Sequence, residues 1–161
     1  MKKWIALLLC ALWMLPCALA SADYAFATHH IGSTTHPYQL GAEYWSEKLM
    51  EYSGGTLSLD IYPANQLASG SKAVEGNQMG TIDICIENPM SVSNIVPAFD
   101  ALNMPYMFDS AEEAFAVMAT EECQVFAEEC EKYNLKLLGY WYNGWRNISN
   151  SLHPVETVDD L

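Results

Sequence analysis

Basic residues are scarce in this chain. Of its 161 residues, 20 are acidic and only 7 are lysine or arginine, which gives a formal net charge of −13 at pH 7. The sequence contains a single arginine, Arg146. A surface with this charge repels nucleic acids and anionic membrane surfaces, so we expect no nucleic-acid partner. Any anion that the protein binds would need a cation placed locally for it.

Long apolar runs are confined to the N-terminus. Lys2 and Lys3 precede an uncharged apolar stretch, and small residues precede Asp23, which is the pattern of a secretory signal peptide. The stretch is short and is broken by Pro16, which argues against a retained membrane anchor. Residues 1–22 are therefore predicted to be a cleaved Sec signal, and the mature protein is predicted to be periplasmic. Cleavage removes two lysines and no acid, so the net charge changes from −13 to −15.

The sequence also lacks recognisable catalytic and metal-binding signatures. It has no G-x-S-x-G element, no phosphate-binding P-loop and no Cys–His pair in a known signature. His29 and His30 are adjacent on a predicted strand, where successive side chains point to opposite faces, so they do not easily share a metal ion. We therefore expect no catalysis, no cofactor and no metal.

The order of the predicted elements indicates an α/β fold. Pro37 suits the first turn of a helix, and Gly54 with Gly55 suits its end. The predicted elements are a strand ending near His30, a helix from Pro37, a strand over 56–63, a short helix over 69–80 and a strand over 81–87. The helical stripe predicted to face the core comprises Tyr38, Ala42, Trp45, Leu49 and Tyr52. Alternating strands and helices imply parallel strands joined by crossovers.

Further elements are predicted in the second half of the chain. Ser110 and Glu113 form a capping box for one helix, and Thr120 is a candidate cap for the next. The stretch "KLLGYWYN", residues 136–143, is predicted to be a strand that leads to Arg146. The apolar face of the helix after Thr120 comprises Cys123, Phe126, Cys130 and Tyr133.

Four stretches in order resemble a known family. They are "THPYQLGAEYWSEKLMEYSGGTLSLDIYPANQL", "EGNQMGTIDI", "ALNMPYMF" and "LLGYWYNGWRNISNSLHPVETVDDL". Together they resemble the extracytoplasmic solute-binding subunits of TRAP transporters, the DctP type, over essentially the whole chain after the signal. The resemblance implies two periplasmic-binding-protein-like α/β lobes, each with a mostly parallel sheet flanked by helices, that close over an organic acid. Separate membrane subunits of the transporter then take up the acid.

The resemblance also implies a domain organisation. It predicts that residues 23–142 form the N-terminal α/β lobe and that residues 143–161 begin the crossover into the second lobe. The family pattern continues beyond the counterpart of the final "DDL". We therefore expect a truncated chain, a fragment with the second lobe missing.

Four residues are candidate ligand contacts, three of them through the resemblance and Asn143 through its place beside Arg146. Arg146 matches the arginine of the family's "NG-x-R" turn, and a planar guanidinium can hold a carboxylate through two parallel hydrogen bonds. Asn143 adds a neutral donor beside it. His30 and Asn88 follow predicted parallel strands, whose carboxyl ends are where ligands bind. The alternatives are a surface arginine paired with an acid, a hydrogen-bonded histidine at a strand end, and turn chemistry before Pro89.

Two other functions stay open at this point. The chain could be a small exported enzyme with an unrecognised site, or a gene fragment without activity. A binding protein is stabilised thermally by its organic acid and consumes nothing, whereas an enzyme turns its substrate over. This difference separates the first two functions experimentally.

Signal-peptide cleavage is expected after Ala22, with cleavage after Ala20 as the alternative, because both follow small residues. Intact-mass spectrometry of the exported protein should therefore find a chain that begins at Asp23 or Ser21. Exported material that retains Met1 would contradict the prediction.

Overall fold

A parallel sheet lies at the start of the described chain. The part of the chain described by this computed structural model comprises residues 22–145, 151, 153–157 and 160. Its strands are β1 (Tyr24–His30), β2 (Leu57–Tyr62) and β3 (Ile84–Ile86). Strand β1 lies between β2 and β3 and is parallel to both, with His29 opposite Tyr62 on one side and Cys85 on the other. The predicted α/β class with a parallel sheet is confirmed.

Helices make up most of the remaining regular structure. They are α1 (Pro37–Tyr52), α2 (Ser71–Gln78), α3 (Pro89–Ser93), α4 (Ala111–Met118), α5 (Gln124–Lys132) and a 3-10 helix over Pro97–Asn103. Helices α1, α2, α4 and α5 agree with the sequence predictions, whereas α3 and the 3-10 helix were not predicted. No helix in the described part of the chain is both long and apolar enough to cross a bilayer.

The chain forms two compact units. The first contains the described residues up to Ala68 together with Ile82–Ile86, and therefore includes the whole sheet and α1. The second contains Ser69–Thr81 and the described residues from Glu87 onward, and therefore includes the other helices. Each unit is described by itself below.

In the first unit, side chains of α1 and its C-cap accept hydrogen bonds from backbone N–H groups at the outer edge of the sheet. Among the described strands, β2 has a neighbour, β1, on one side only, so alternate backbone N–H groups face outward. The amide of Leu59 donates to the Ser46 hydroxyl at 2.9 Å, and the amide of Leu57 donates to the Ser53 hydroxyl at 3.0 Å. Two N–H groups that could pair with another chain are therefore occupied by side chains of α1 and its C-cap.

A carboxylate extends the pairing of β1 where β3 has not yet begun. Asp83 accepts a hydrogen bond from the amide of Ala27 at 2.8 Å and one from the Tyr24 hydroxyl at 3.2 Å. Its own amide donates to the carbonyl oxygen of Ala27 at 3.1 Å. These bonds fix the register at which β3 joins β1.

The two ends of α1 are set by local chemistry. At its start the His36 ring accepts a hydrogen bond from the amide of Tyr38 at 3.2 Å, which is an N-cap interaction. At its end Gly54 adopts a φ of 65°, and the amide of Gly55 donates to the carbonyl of Met50 at 2.7 Å. This is a Schellman motif, and it needs the left-handed conformation that glycine adopts without strain. The predicted glycine stop is confirmed.

The predicted stripe of α1 is partly wrong. Tyr38 and Ala42 are buried as expected, but Tyr52 is 82% exposed. Tyr52 is the last residue of the helix, where the chain turns through Gly54 toward β2. Its helical position matches the stripe, but the first unit covers little of its ring.

The second unit has its own apolar core. Val96, Phe99, Phe126 and Cys130 are buried together, and the rings of Phe99 and Phe126 meet edge to face with centroids 5.2 Å apart. Partly buried side chains of Cys123 and Tyr133 pack against this cluster. The predicted apolar face of α5 is therefore confirmed.

Of the two predicted helix caps in this unit, one is confirmed and one is wrong. The Ser110 hydroxyl accepts from the amide of Glu113 at 3.0 Å and so caps α4. The Thr120 hydroxyl instead donates to the carbonyl of Val117 at 2.9 Å, which ties it to the end of α4. Helix α5 begins after Cys123, which makes no side-chain cap bond.

The strand predicted over residues 136–143 is also wrong. The chain has no regular secondary structure there, and none of the described strands pairs with it. Leu137 packs against the core cluster of the second unit. Just before this segment, the side-chain amide of Gln78 donates to the backbone carbonyl of Tyr133 at 2.8 Å. The side-chain amide of Asn134 donates to the backbone carbonyl of Gln78, also at 2.8 Å. These contacts hold the N-terminal end of the segment without any strand-to-strand hydrogen bonds.

Replacing Ser46 should destabilise the first unit. Ser46→Ala leaves the Leu59 amide without its acceptor in a poorly hydrated position, which costs about 1–2 kcal/mol of unfolding free energy. Urea denaturation followed by circular dichroism measures this difference. Ser33→Ala on an exposed loop is the control, and equal midpoints for the two variants would refute the edge-capping role.

Candidate functional site

The loops after β1 and β2 are joined at the carboxyl edge of the sheet. The amide of Ala64 donates to the carbonyl of Gly32 at 2.7 Å, and the amide of Asn65 donates to the carbonyl of His30 at 3.4 Å. Ala64 and Asn65 have φ values of 52° and 60°, in the left-handed region. That conformation costs about 1–2 kcal/mol for a residue with a side chain such as alanine. Strain of this kind clusters at binding and switch regions.

Close packing beside this edge requires a glycine. A Cβ atom on Gly32 would lie 2.5 Å from the ring of His36, the residue that caps α1. Any larger residue would push the loop away from the start of the helix. The absence of a side chain at Gly32 therefore lets the end of β1 and the first turn of α1 meet.

His30 ends β1 at this edge and has no exposed surface. Its Nε2 atom lies 3.0 Å from Oε1 of Gln39, and its ring meets the Tyr38 ring edge to face with centroids 6.3 Å apart. Its Nδ1 atom is buried and has no hydrogen-bond partner among the described residues. The hydrogen-bonded strand-end histidine is therefore present, while the predicted ligand contact of His30 stays a prediction.

Sequence reasoning missed Gln39. Its amide nitrogen donates to Oε1 of Glu43 at 2.8 Å, so it links a buried histidine to an exposed carboxylate. The signal was present in the sequence, because residues four apart on a helix are neighbours on its surface. That spacing alone does not indicate a site, because a glutamine and a glutamate on a helix are ordinary surface residues.

Asn88 and Asn143 belong to the second unit. The Asn88 side-chain oxygen accepts from the amide of Ser91 at 2.9 Å and caps α3, so the turn chemistry before Pro89 is present. This cap uses only the oxygen, which leaves the amide N–H groups able to donate to a ligand. Asn143 is exposed in the segment without regular structure. Ligand contacts of both residues stay predictions, and Arg146 lies outside the described residues.

An apolar groove of about 150 Å³ occurs in the second unit. It is lined by Leu102, Phe108, Ala111, Ala114, Phe115, Met118, Tyr140, Trp141 and Tyr142. The hydroxyl of Tyr140 is buried and has no hydrogen-bond partner among the described residues. Burial raises the pKa of Tyr140 to about 12, with smaller contributions from Cys123 and Cys130.

Comparison with known proteins identifies the family. The family model DctP, described as bacterial extracellular solute-binding protein, family 7, matches residues 28–161. The match covers most of the chain, so the protein belongs to this family of extracellular solute-binding proteins. The resemblance inferred from the four sequence stretches is confirmed.

Among its relatives is the 2,3-diketo-L-gulonate-binding periplasmic protein YiaO of Escherichia coli, 29% identical over 129 residues that make up 80% of this chain and 39% of the relative. Another is the C4-dicarboxylate-binding protein DctB of Bacillus subtilis, 28% identical over 84% of this chain and 39% of the relative. The chain thus spans about two-fifths of the length of these relatives.

Solved structures support the same assignment. A TRAP periplasmic solute-binding protein of Haemophilus influenzae with bound L-gulonate is 31% identical, with a TM-score of 0.74 over 83% of this chain and 43% of that protein. Another from Chromohalobacter salexigens, with bound D-glucuronate, is 27% identical, with a TM-score of 0.79 over 84% of this chain and 45% of that protein. The α/β fold of the described residues is therefore that of part of these binding proteins.

The raised pKa of Tyr140 predicts a loss of stability at high pH. The phenol ionises near pH 10 in the unfolded chain but near 12 in the folded one, so the unfolded state loses its proton first and folding weakens as pH rises above about 10. Tyr140→Phe removes this dependence and a buried hydroxyl with no described partner. The free energy of unfolding should be measured by denaturation at pH 7 and at pH 11. Between these pH values the variant should lose less stability than the parent. A parallel change in both proteins would refute the prediction.

Proposed function

We propose that the protein binds an organic acid outside the cytoplasm and delivers it to the membrane subunits of a TRAP-type transporter. The observation that carries this proposal is the family match over residues 28–161, whose members are extracellular solute-binding proteins. The bound ligands of similar proteins include L-gulonate and D-glucuronate, and one relative is named for C4-dicarboxylates. All are carboxylates, so the ligand class is an organic acid. The predicted signal peptide supports a periplasmic location.

The proposed activity is binding without chemical conversion. The similar proteins are named for the acids they bind, and none of those cited is named as an enzyme. The sequence offers no nucleophile beside a base in a known signature. We therefore assign no catalytic residue.

For the binding residues we retain the four sequence candidates. Arg146 supplies the positive charge, and its fork of donors matches the two oxygens of a carboxylate. Asn143 and Asn88 supply neutral donors, and His30 supplies a ring nitrogen. Residues 23–142 are proposed to form the first lobe, and residues 143–161 the start of the crossover to the second.

Removing the guanidinium should weaken acid binding without unfolding the protein. A hydrogen bond to a charged group contributes about 1.5–3 kcal/mol to the free energy of binding, so Arg146→Ala should raise Kd about tenfold to a hundredfold. Arg146→Lys should recover only part of the affinity, because an ammonium keeps the charge but loses the two-pronged geometry. Isothermal calorimetry with D-glucuronate, L-gulonate and succinate measures the effect, and thermal melts report stability.

The control for net charge is Lys72→Ala, which removes one exposed positive charge from α2. It should leave Kd unchanged within about twofold, because an exposed charge that does not contact the ligand is largely screened at physiological ionic strength. Equal losses of affinity in the Arg146 and Lys72 variants would mean that overall charge, and not a local site, governs binding. Unchanged affinity in Arg146→Ala would place the carboxylate site elsewhere.

A further inference from the structure

The chain of hydrogen bonds from Glu43 to His30 has a fixed direction. An ionised carboxylate can only accept hydrogen bonds, so the group of Gln39 that lies 2.8 Å from Glu43 must be its NH₂. The carbonyl oxygen of the same amide therefore faces His30, at 3.0 Å from Nε2. An amide oxygen can only accept, and it follows that Nε2 of His30 carries a proton.

The direction of this chain determines what Nδ1 offers. A neutral imidazole has one N–H donor and one bare nitrogen, and which is which is set by the hydrogen bond that the other nitrogen makes. With the proton on Nε2, the Nδ1 atom of His30 is an acceptor. That atom is buried and has no hydrogen-bond partner among the described residues. A buried acceptor without a donor is unfavourable, so a donor that reaches it is bound preferentially.

We propose that Gln39, held by Glu43, is a positioning residue that keeps the His30 proton on Nε2, and that Nδ1 then accepts a hydrogen bond from a hydroxyl group of the bound acid. The proposal rests on the proposed function and narrows its ligand class to hydroxy acids. A bare ring nitrogen and a carboxylate oxygen are both acceptors, so His30 in this state favours a hydroxyl over a second carboxylate.

Three features make this position suitable for discrimination. The ring cannot turn freely, because Tyr38 lies against it edge to face and Gln39 holds Nε2. His30 has no exposed surface, so bulk water does not compete for Nδ1 in the described structure. The strained loop after β2 donates to the carbonyl of His30 through Asn65, which fixes the backbone as well. Because Nδ1 is already covered by protein in this structure, a ligand hydroxyl reaches it only if the groups that cover the ring move apart on binding and then enclose the hydroxyl.

The first test observes the proton directly and needs no ligand. Nitrogen-15 NMR of the imidazole, at a pH where the ring is neutral, should show Nδ1 of His30 unprotonated in the parent protein. Gln39→Ala should give a mixture of the two tautomers, and Gln39→Glu, which keeps an acceptor beside Nε2 but loses the hydrogen bond to Glu43, should still favour the proton on Nε2. Gln66→Ala, the same change on an exposed loop, is the control. A protonated Nδ1 in the parent, or no change in Gln39→Ala, would overturn the positioning role.

The second test compares malate with succinate, two acids that differ only by one hydroxyl. The parent should bind malate more tightly, and Gln39→Ala should reduce that preference about threefold to tenfold while changing the succinate affinity little. An equal preference for malate in parent and variant would mean that an enclosed water or a protein group donates to Nδ1. It would overturn the proposal that Nδ1 accepts a hydrogen bond from a hydroxyl of the bound acid. If neither these two acids nor D-glucuronate and L-gulonate bind while the NMR result is as expected, the proposed function fails and the tautomer assignment stands.

Discussion

Parallel pairing of β1 on both sides is the constraint on which the rest of the described structure depends. A parallel partner cannot be reached by a hairpin, so each return to the sheet needs a crossover, and α1 supplies the one between β1 and β2. The central position also buries the end of β1 completely, from Thr28 to His30. Two histidines are thereby placed where bulk water does not reach them, so a ring nitrogen that lacks a hydrogen-bond partner there is unfavourable.

Helix α1 supplies partners at both ends of this arrangement. Gln39, Ser46 and Ser53 are seven residues apart, which places them on one flank of the helix and its cap. Gln39 meets His30, while Ser46 and Ser53 meet the outward amides of β2. These three polar residues lie on a helix face that otherwise makes apolar contacts, and each of them pairs with a hydrogen-bonding group of the sheet. The same helix shapes the carboxyl edge and protects the outer strand.

The sequence predicted well wherever short-range chemistry decides the structure. The Gly54–Gly55 stop and the Ser110 cap depend on residues within one helical turn, and both are observed. The strand over residues 136–143 failed for the opposite reason. A strand is stable only when another strand pairs with it, and apolar or aromatic composition does not reveal whether a partner is present. Packing of Leu137 on the second core satisfies the same composition without a ladder.

Prediction of the site met a different difficulty. Asn88 and His30 were singled out because polar residues at strand ends bind ligands, but the same residue types also cap helices and complete buried networks. Asn88 caps α3 through its oxygen, and His30 bonds to Gln39 through Nε2, so each is engaged on one side only. An engaged side chain is held in one orientation, which favours binding by its remaining atoms. The structural and the ligand-binding roles are therefore compatible at both positions.

The acidity of the chain is also compatible with binding an acid. Several of its acidic side chains lie on exposed helix faces, for example Glu112 and Glu113 on α4 and Glu128 and Glu131 on α5. At physiological ionic strength the field of an exposed charge decays over about 8 Å, so these groups act weakly on an anion held elsewhere. A guanidinium in direct contact is not screened in this way, because its hydrogen bonds exclude the intervening water. One arginine placed at the ligand can therefore outweigh many distant acids.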